Sequence, residues 1–125
     1  MSLSFKSAGS KVTNPFVADA DPNAVAPPLT RILEIPDRTE NGSIAFGVRF
    51  YPQFTNPSGA GVTIDIVPWV FDERNSHWAA AAGDTGILNR DMLVAPDLAP
   101  GRIFFQITAQ GGGTVDSVEI FAASS

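Results

Sequence analysis

Four stretches of this chain alternate apolar with other residues at a period of two: SIAFGVRFY (43–51), VTIDIVPWVFD (62–72), GRIFFQITA (101–109) and VDSVEIFAA (115–123). Successive side chains of a strand point to opposite faces of its sheet, so this period marks strands with one face buried. From Leu29 onward no segment keeps an apolar period of 3.6 residues, and the ten prolines and eleven glycines favour short strands joined by turns. Ile64, Ile66, Ile103, Phe105, Ile107, Val118 and Ile120 fall on the inward faces and are the expected core. Ile44, Phe46, Val48 and Phe50 share a face in the same way. Phe104 and Phe121 fall on the opposite faces, where they read as exposed.

The remaining segments fill out the pattern. LTRILEI (29–35) alternates and reads as a strand, and Asn41-Gly42 is a hairpin turn signal because both residues tolerate positive φ. PQFTNPSGAG (52–61) reads as a loop, and one further strand is expected around Ile87 to Val94. Counting these segments, residues 29–125 are expected to form an all-β domain, an antiparallel β-sandwich or jelly roll of about seven or eight short strands.

Residues 1–28 differ. SAGSKVTNPFVADADPNAVAPP has neither a helical nor a strand period, and its apolar residues are small and interrupted by Pro15, Pro22, Pro27 and Pro28. The expectation is an extended or flexible N-terminal arm that orders against a partner, with Phe16 and Val17 as its anchors. Such an arm, fully stretched, would reach on the order of 90 Å.

The segment from Gly61 to Gly83, GVTIDIVPWVFDERNSHWAAAAG, holds both tryptophans. Pro68 cannot donate a ladder hydrogen bond, so it belongs at an edge or a bulge. A bulge there would break the alternation and explain why VPWVF is apolar throughout. DERNSH reads as a solvated hairpin loop. HWAAAA is too short to nucleate a helix alone and returns as a strand, which makes Trp69 and Trp78 a cross-strand pair. Two readings of that pair stay open: anchors packed on the sandwich, or, with Tyr51 and His77, a platform for stacking sugars.

Composition and motif searches mostly exclude. With 125 residues the chain is the size of one domain. It has no cysteine, so no disulfide, thiolate metal site or cysteine nucleophile, and its single histidine, His77, cannot build a multi-histidine site. The net charge is −5 and the eight basic residues are scattered, which argues against binding nucleic acid. No apolar run is long enough to span a membrane, and MSLSFKSAGSKVTNPF lacks the apolar core of a signal peptide, so the expectation is synthesis inside a cell, with use there or assembly there into something later released. Asp19, Asp21 and Asn23 imitate the start of a calcium loop, but Ala24 and Thr30 stand where glycine and glutamate are needed. Asp72 and Glu73 at the hairpin tip read as a charged turn rather than a cation site. No nucleophile–base set or phosphate loop occurs, Ser76 and His77 being only neighbours in the chain. No catalytic residue, metal or cofactor is therefore expected.

The body from about Leu29 to Ser125 resembles the small β-sandwich or jelly-roll capsid decoration (cement) proteins of tailed bacteriophages. The stretches that carry the likeness are VRFYPQFTNPSGAGVTIDIVPWVFDERNSHWAAAA, LAPGRIFFQITA and VDSVEIFAASS: a long strand ending in Pro-Trp, a polar hairpin, a second tryptophan, then a Pro-Gly turn into the penultimate strand. The resemblance implies a non-enzymatic virion protein, made in the host cytoplasm and seated as a homotrimer on the major capsid protein. It maps no contact residue onto this chain; from the strand faces, Trp69, Trp78, Phe104 and Phe121 read as a possible oligomer or ligand surface. The alternative is a carbohydrate- or receptor-binding module that uses Trp69 and Trp78.

Overall fold

A computed structural model of the chain describes residues 6–12, 15–35, 48–93 and 101–124. It is a β-sandwich. Among these residues there are eight strands and no α-helix: β1 (Lys6–Val12), β2 (Ile32–Ile35), β3 (Val48–Thr55), β4 (Thr63–Asp72), β5 (His77–Ala80), β6 (Asp84–Ile87), β7 (Gly101–Gly111) and β8 (Ser117–Ser124). One sheet, here sheet A, has the order β1-β8-β3. The other, sheet B, has the order β2-β7-β4-β5, with β6 also against β4, and every pairing in both sheets is antiparallel.

The alternation dictates the core. Ile64, Ile66, Ile103, Phe105 and Ile107 from sheet B meet Phe50, Phe54, Val118 and Ile120 from sheet A, all at 6% exposure or less. Phe50 and Phe105 touch across the two layers with ring centroids 5.0 Å apart. All seven residues expected in the core are there. Ile44, Phe46 and the Asn41-Gly42 turn lie outside the described residues.

Several expectations are corrected. β3 runs on through Pro52, Gln53, Phe54 and Thr55, where the sequence predicts a loop. Pro52 is fully buried and stands opposite Ile120. It is tolerated because β3 is an edge strand whose outer side is bonded at alternate positions by the chain from Asn89 to Leu93. Leu93 N–H donates to the Phe50 carbonyl (2.8 Å), Arg90 N–H to the Pro52 carbonyl (2.9 Å), and Phe54 N–H to Asn89 Oδ1 (2.8 Å). The missing N–H of Pro52 therefore faces outward, away from β8. That same stretch replaces the strand expected from Ile87 to Val94: β6 ends at Ile87, residues 88–91 form a turn, and Leu93 makes an isolated bridge to Phe50. At the start of LTRILEI, Leu29–Arg31 is a single 3-10 turn ahead of β2.

The bulge is not at Pro68. The register of β4 against β7 shifts between Asp65 and Ile66, where Thr108 is the extra residue, and Pro68 pairs in register with Phe105. The other side of β4 explains the proline. β5 reaches back only to Ala80 opposite Trp69, and β6 begins with Asp84 opposite Ile66. The Pro68 carbonyl faces this gap and accepts from Ala81 N–H at 2.8 Å, so no ladder donor is lost.

Residue 28 is not a structural boundary. Lys6–Val12, expected in a free arm, pairs with β8 as an edge strand of sheet A. Its register shifts between Ser7 and Ser10, and Gly9, at φ +73°, packs against the Thr30 carbonyl where a Cβ would collide. That interruption in a run of small residues hides the strand's period of two.

Candidate functional site

The outer face of sheet B carries Trp69 and Phe71 from β4, Trp78 from β5 and Phe104 from β7. Trp78 stands opposite Phe71, not opposite Trp69, whose partner is Ala80. The length of the loop decides this. Residues 73–76 form a four-residue turn in which the Asp72 carboxylate accepts from Arg74 N–H (3.0 Å) and Asn75 Nδ2 (2.9 Å), and Ser76 takes φ +52°. Trp78 packs edge-on against Phe71 (5.1 Å) and Phe104 (6.3 Å), and the Arg102 guanidinium lies 4.7 Å over Phe71.

This face is covered by the chain's own residues 15–31. Arg31 donates through Nη1 (3.2 Å) and Nη2 (2.8 Å) to the two carboxylate oxygens of Asp19, and both side chains are 11% exposed. Asp19 also accepts from Ile107 N–H through Oδ2 (2.9 Å), while its own N–H donates to the Ile107 carbonyl (2.9 Å). β2 pairs β7 only as far as Phe104, so Asp19 and Arg31 occupy the edge that β2 leaves free. Arg31 lies 5.5 Å from the ring centre of Phe104. Further along, the Asn23 amide takes both backbone groups of Trp78, accepting from its N–H (2.8 Å) and donating to its carbonyl (2.9 Å). One side chain thus closes the edge of β5 as a neighbouring strand would. Gln106 links the layers, accepting from Trp69 Nε1 (2.9 Å) and donating to the Asp19 carbonyl (3.1 Å).

Against this geometry the candidate residues separate. Phe104 and Trp78 are buried, at 3% and 7% exposure, and Trp69 is half-buried. Phe104, read as exposed, is the clearest correction: sequence shows that it points away from the core, not that another segment lies over it. Phe16 packs against the core of its own sandwich, whereas Val17 is 66% exposed. Phe121 is half-buried on the outer face of sheet A, opposite Tyr51. Asp19, Asp21 and Asn23 do not converge. Asp19 meets Arg31 and Asn23 meets Trp78, while Asp21 caps its own turn by accepting from Asn23 N–H (2.7 Å).

What the covering segment shows to solvent is apolar. Val17, Val25 and Leu29 are 66%, 61% and 83% exposed, three of the five large hydrophobic residues most open among those described. Asp19, Asn23 and Arg31, which hold this surface in place, were not found as a group by sequence reading. No local spacing links an aspartate to an arginine in another element.

No protein family, curated protein or solved structure matches the chain. Among the described residues no helix is long and apolar enough to cross a membrane, and no group of three or more ligating side chains is placed to hold a metal.

Proposed function

We propose that this is a non-enzymatic structural protein that binds the outer surface of a capsid shell as a homotrimer and stabilises it, a cement protein of a tailed-phage virion. The observation that carries this reading is the display of Val17, Val25 and Leu29 on a segment that is pinned to the sandwich through Asp19, Asn23 and Arg31. Apolar side chains held open on a fixed backbone lose little conformational entropy when a partner covers them. The segment is therefore a preformed contact surface for the major capsid protein, in place of the free arm expected from sequence. The reading of Trp69 and Trp78 as a sugar platform is disfavoured, because Trp78 presents no open ring face.

The test is electron cryo-microscopy of the particle that carries this chain, together with the Val25→Asp/Leu29→Asp double variant. The chain should sit outside the shell in groups of three, and the variant should keep its melting temperature but lose occupancy. A chain seated elsewhere, or a variant that decorates particles as well as the parent, overturns the reading.

A further inference from the structure

The outer face of sheet A holds a groove of about 530 Å³ lined by Tyr51, Pro52, Gln53, Arg90 and Phe121, a volume in the range of small-ligand sites. Tyr51 and Phe121 stand opposite one another on β3 and β8 and form its aromatic floor. Pro52 is buried beneath, and Gln53, one step along β3, is exposed. Arg90 reaches in from the turn that runs beside β3.

Arg90 is the informative residue. It is the third residue of the turn closed by Asp91 N–H donating to the Leu88 carbonyl (3.1 Å), and its φ is +67°. Glycine or asparagine normally supplies that conformation, and a side-chain-bearing residue there is strained. The turn is fixed on both sides, with the Asp91 carboxylate accepting from Leu88 N–H (2.8 Å) and Arg90 N–H bonded to the Pro52 carbonyl (2.9 Å). Arg90 thus lines the groove from a backbone position better suited to glycine. Neither Arg90 nor the exposed Arg49, two residues from Tyr51 on β3, makes an ion pair among the described residues. Glu119, on the same face, is engaged in a contact of its own.

We infer that this groove binds an acidic sugar of the uronate class. The aromatic pair offers flat surface to the apolar face of a pyranose ring. The Arg90 guanidinium matches a ring carboxylate in the bidentate geometry that distinguishes arginine from lysine. The Gln53 amide both donates and accepts, as hydroxyl groups require. An acidic peptide would share the charge, but it cannot add to β3 as a strand, because residues 89–93 already lie along that edge, bonded to the Phe50 and Pro52 carbonyls and the Phe54 N–H. The inference is independent of capsid binding, which uses the opposite side of the sandwich.

The experiment is an NMR titration of the full-length, isotope-labelled protein with a galacturonic acid trisaccharide, the neutral trisaccharide maltotriose and a penta-aspartate peptide. The uronate should bind with a Kd of about 1 mM or tighter, shifting Tyr51, Gln53, Arg90 and Phe121, and maltotriose should bind at least about tenfold more weakly. Arg90→Gly suits the turn's positive φ, so it should keep or raise the melting temperature while weakening uronate binding by about tenfold or more. Tyr51→Ala should weaken it while leaving the protein folded. The inference is overturned by an absence of shifts at 10 mM uronate, by equal binding of the neutral sugar, by unchanged binding to the glycine variant, or by the peptide binding where the uronate does not.

Discussion

The two outer faces of the sandwich read alike in sequence and end differently in space. Each carries aromatic residues at positions that alternate away from the core: Trp69, Phe71 and Phe104 on sheet B, Tyr51 and Phe121 on sheet A. On sheet B, residues 15–31 lie against Phe104 and Trp78, which are 3% and 7% exposed, while Trp69 and Phe71 are half-buried. On sheet A, Tyr51 and Phe121 line an open groove. Alternation identifies the side that is not core. Whether that side is wet depends on segments that alternation does not describe.

Phenylalanine-to-alanine substitution on each face puts the comparison to its strongest test. Phe104→Ala should cost about 3–5 kcal/mol, as for a core aromatic, because it empties the space under Arg31 and beside Trp78. Phe121→Ala should cost less than half as much. Urea melts that give equal losses would mean that the two faces are covered alike.

Asp19→Ala removes the carboxylate from a largely buried Arg31 and from Ile107 N–H. It should cost about 2–4 kcal/mol in the same assay, since an uncompensated charge and an orphaned donor are left behind. A loss below about 0.5 kcal/mol would show that residues 15–31 rest loosely on sheet B. It follows too that removing the first 24 residues, which would be harmless to a sandwich with a free arm, should destabilise this one, because β1, Asp19 and Asn23 go with them.

A smaller loss, about 1–2 kcal/mol, is expected for Asn23→Ala, which frees the N–H and carbonyl of Trp78. Acrylamide quenching of tryptophan fluorescence should rise in that variant. Quenching that stays at the parent's level would place the shield elsewhere.

The smallest effect concerns the exposed hairpin tip. The side-chain hydrogen bond from Asn75 is the main cause that holds the Asp72 carboxyl below its ordinary 3.8, helped by backbone N–H groups of the turn and by His77. A depressed carboxylate pKa contributes stability above the unfolded value, and that contribution is lost as pH falls through the lower folded value. Acidification below pH 3.8 should therefore loosen the turn, seen as movement of the Arg74 and Asn75 amide resonances, before the sandwich melts. Amides that stay fixed while Asp72 titrates would remove this role.

The expected core was legible because seven residues obey a local rule: on a half-buried strand, every second side chain goes in. The reading of 52–61 as loop failed because Pro52 is a local breaker made harmless by a non-local fact, namely that its empty donor position faces residues 89–93. Trp78 was assigned to the wrong partner because cross-strand register follows loop length, and DERNSH does not announce that four of its residues make the turn. β1 escaped because Gly9 breaks its period where it passes Thr30.

By itself, then, the sequence determined the all-β class, the inward faces of β4, β7 and β8, and the absence of any disulfide or cysteine ligand. All of these follow from neighbours along the chain or from composition. Only the tertiary structure decided that residues 15–31 close against sheet B, that Asp19 meets Arg31 and Asn23 meets Trp78, and that Arg90 lines one groove with Tyr51 and Phe121. These contacts join residues from 12 to 55 positions apart where the hydrogen bonds record them. Their partners are chosen by the geometry of packed sheets, and no period or local propensity encodes it.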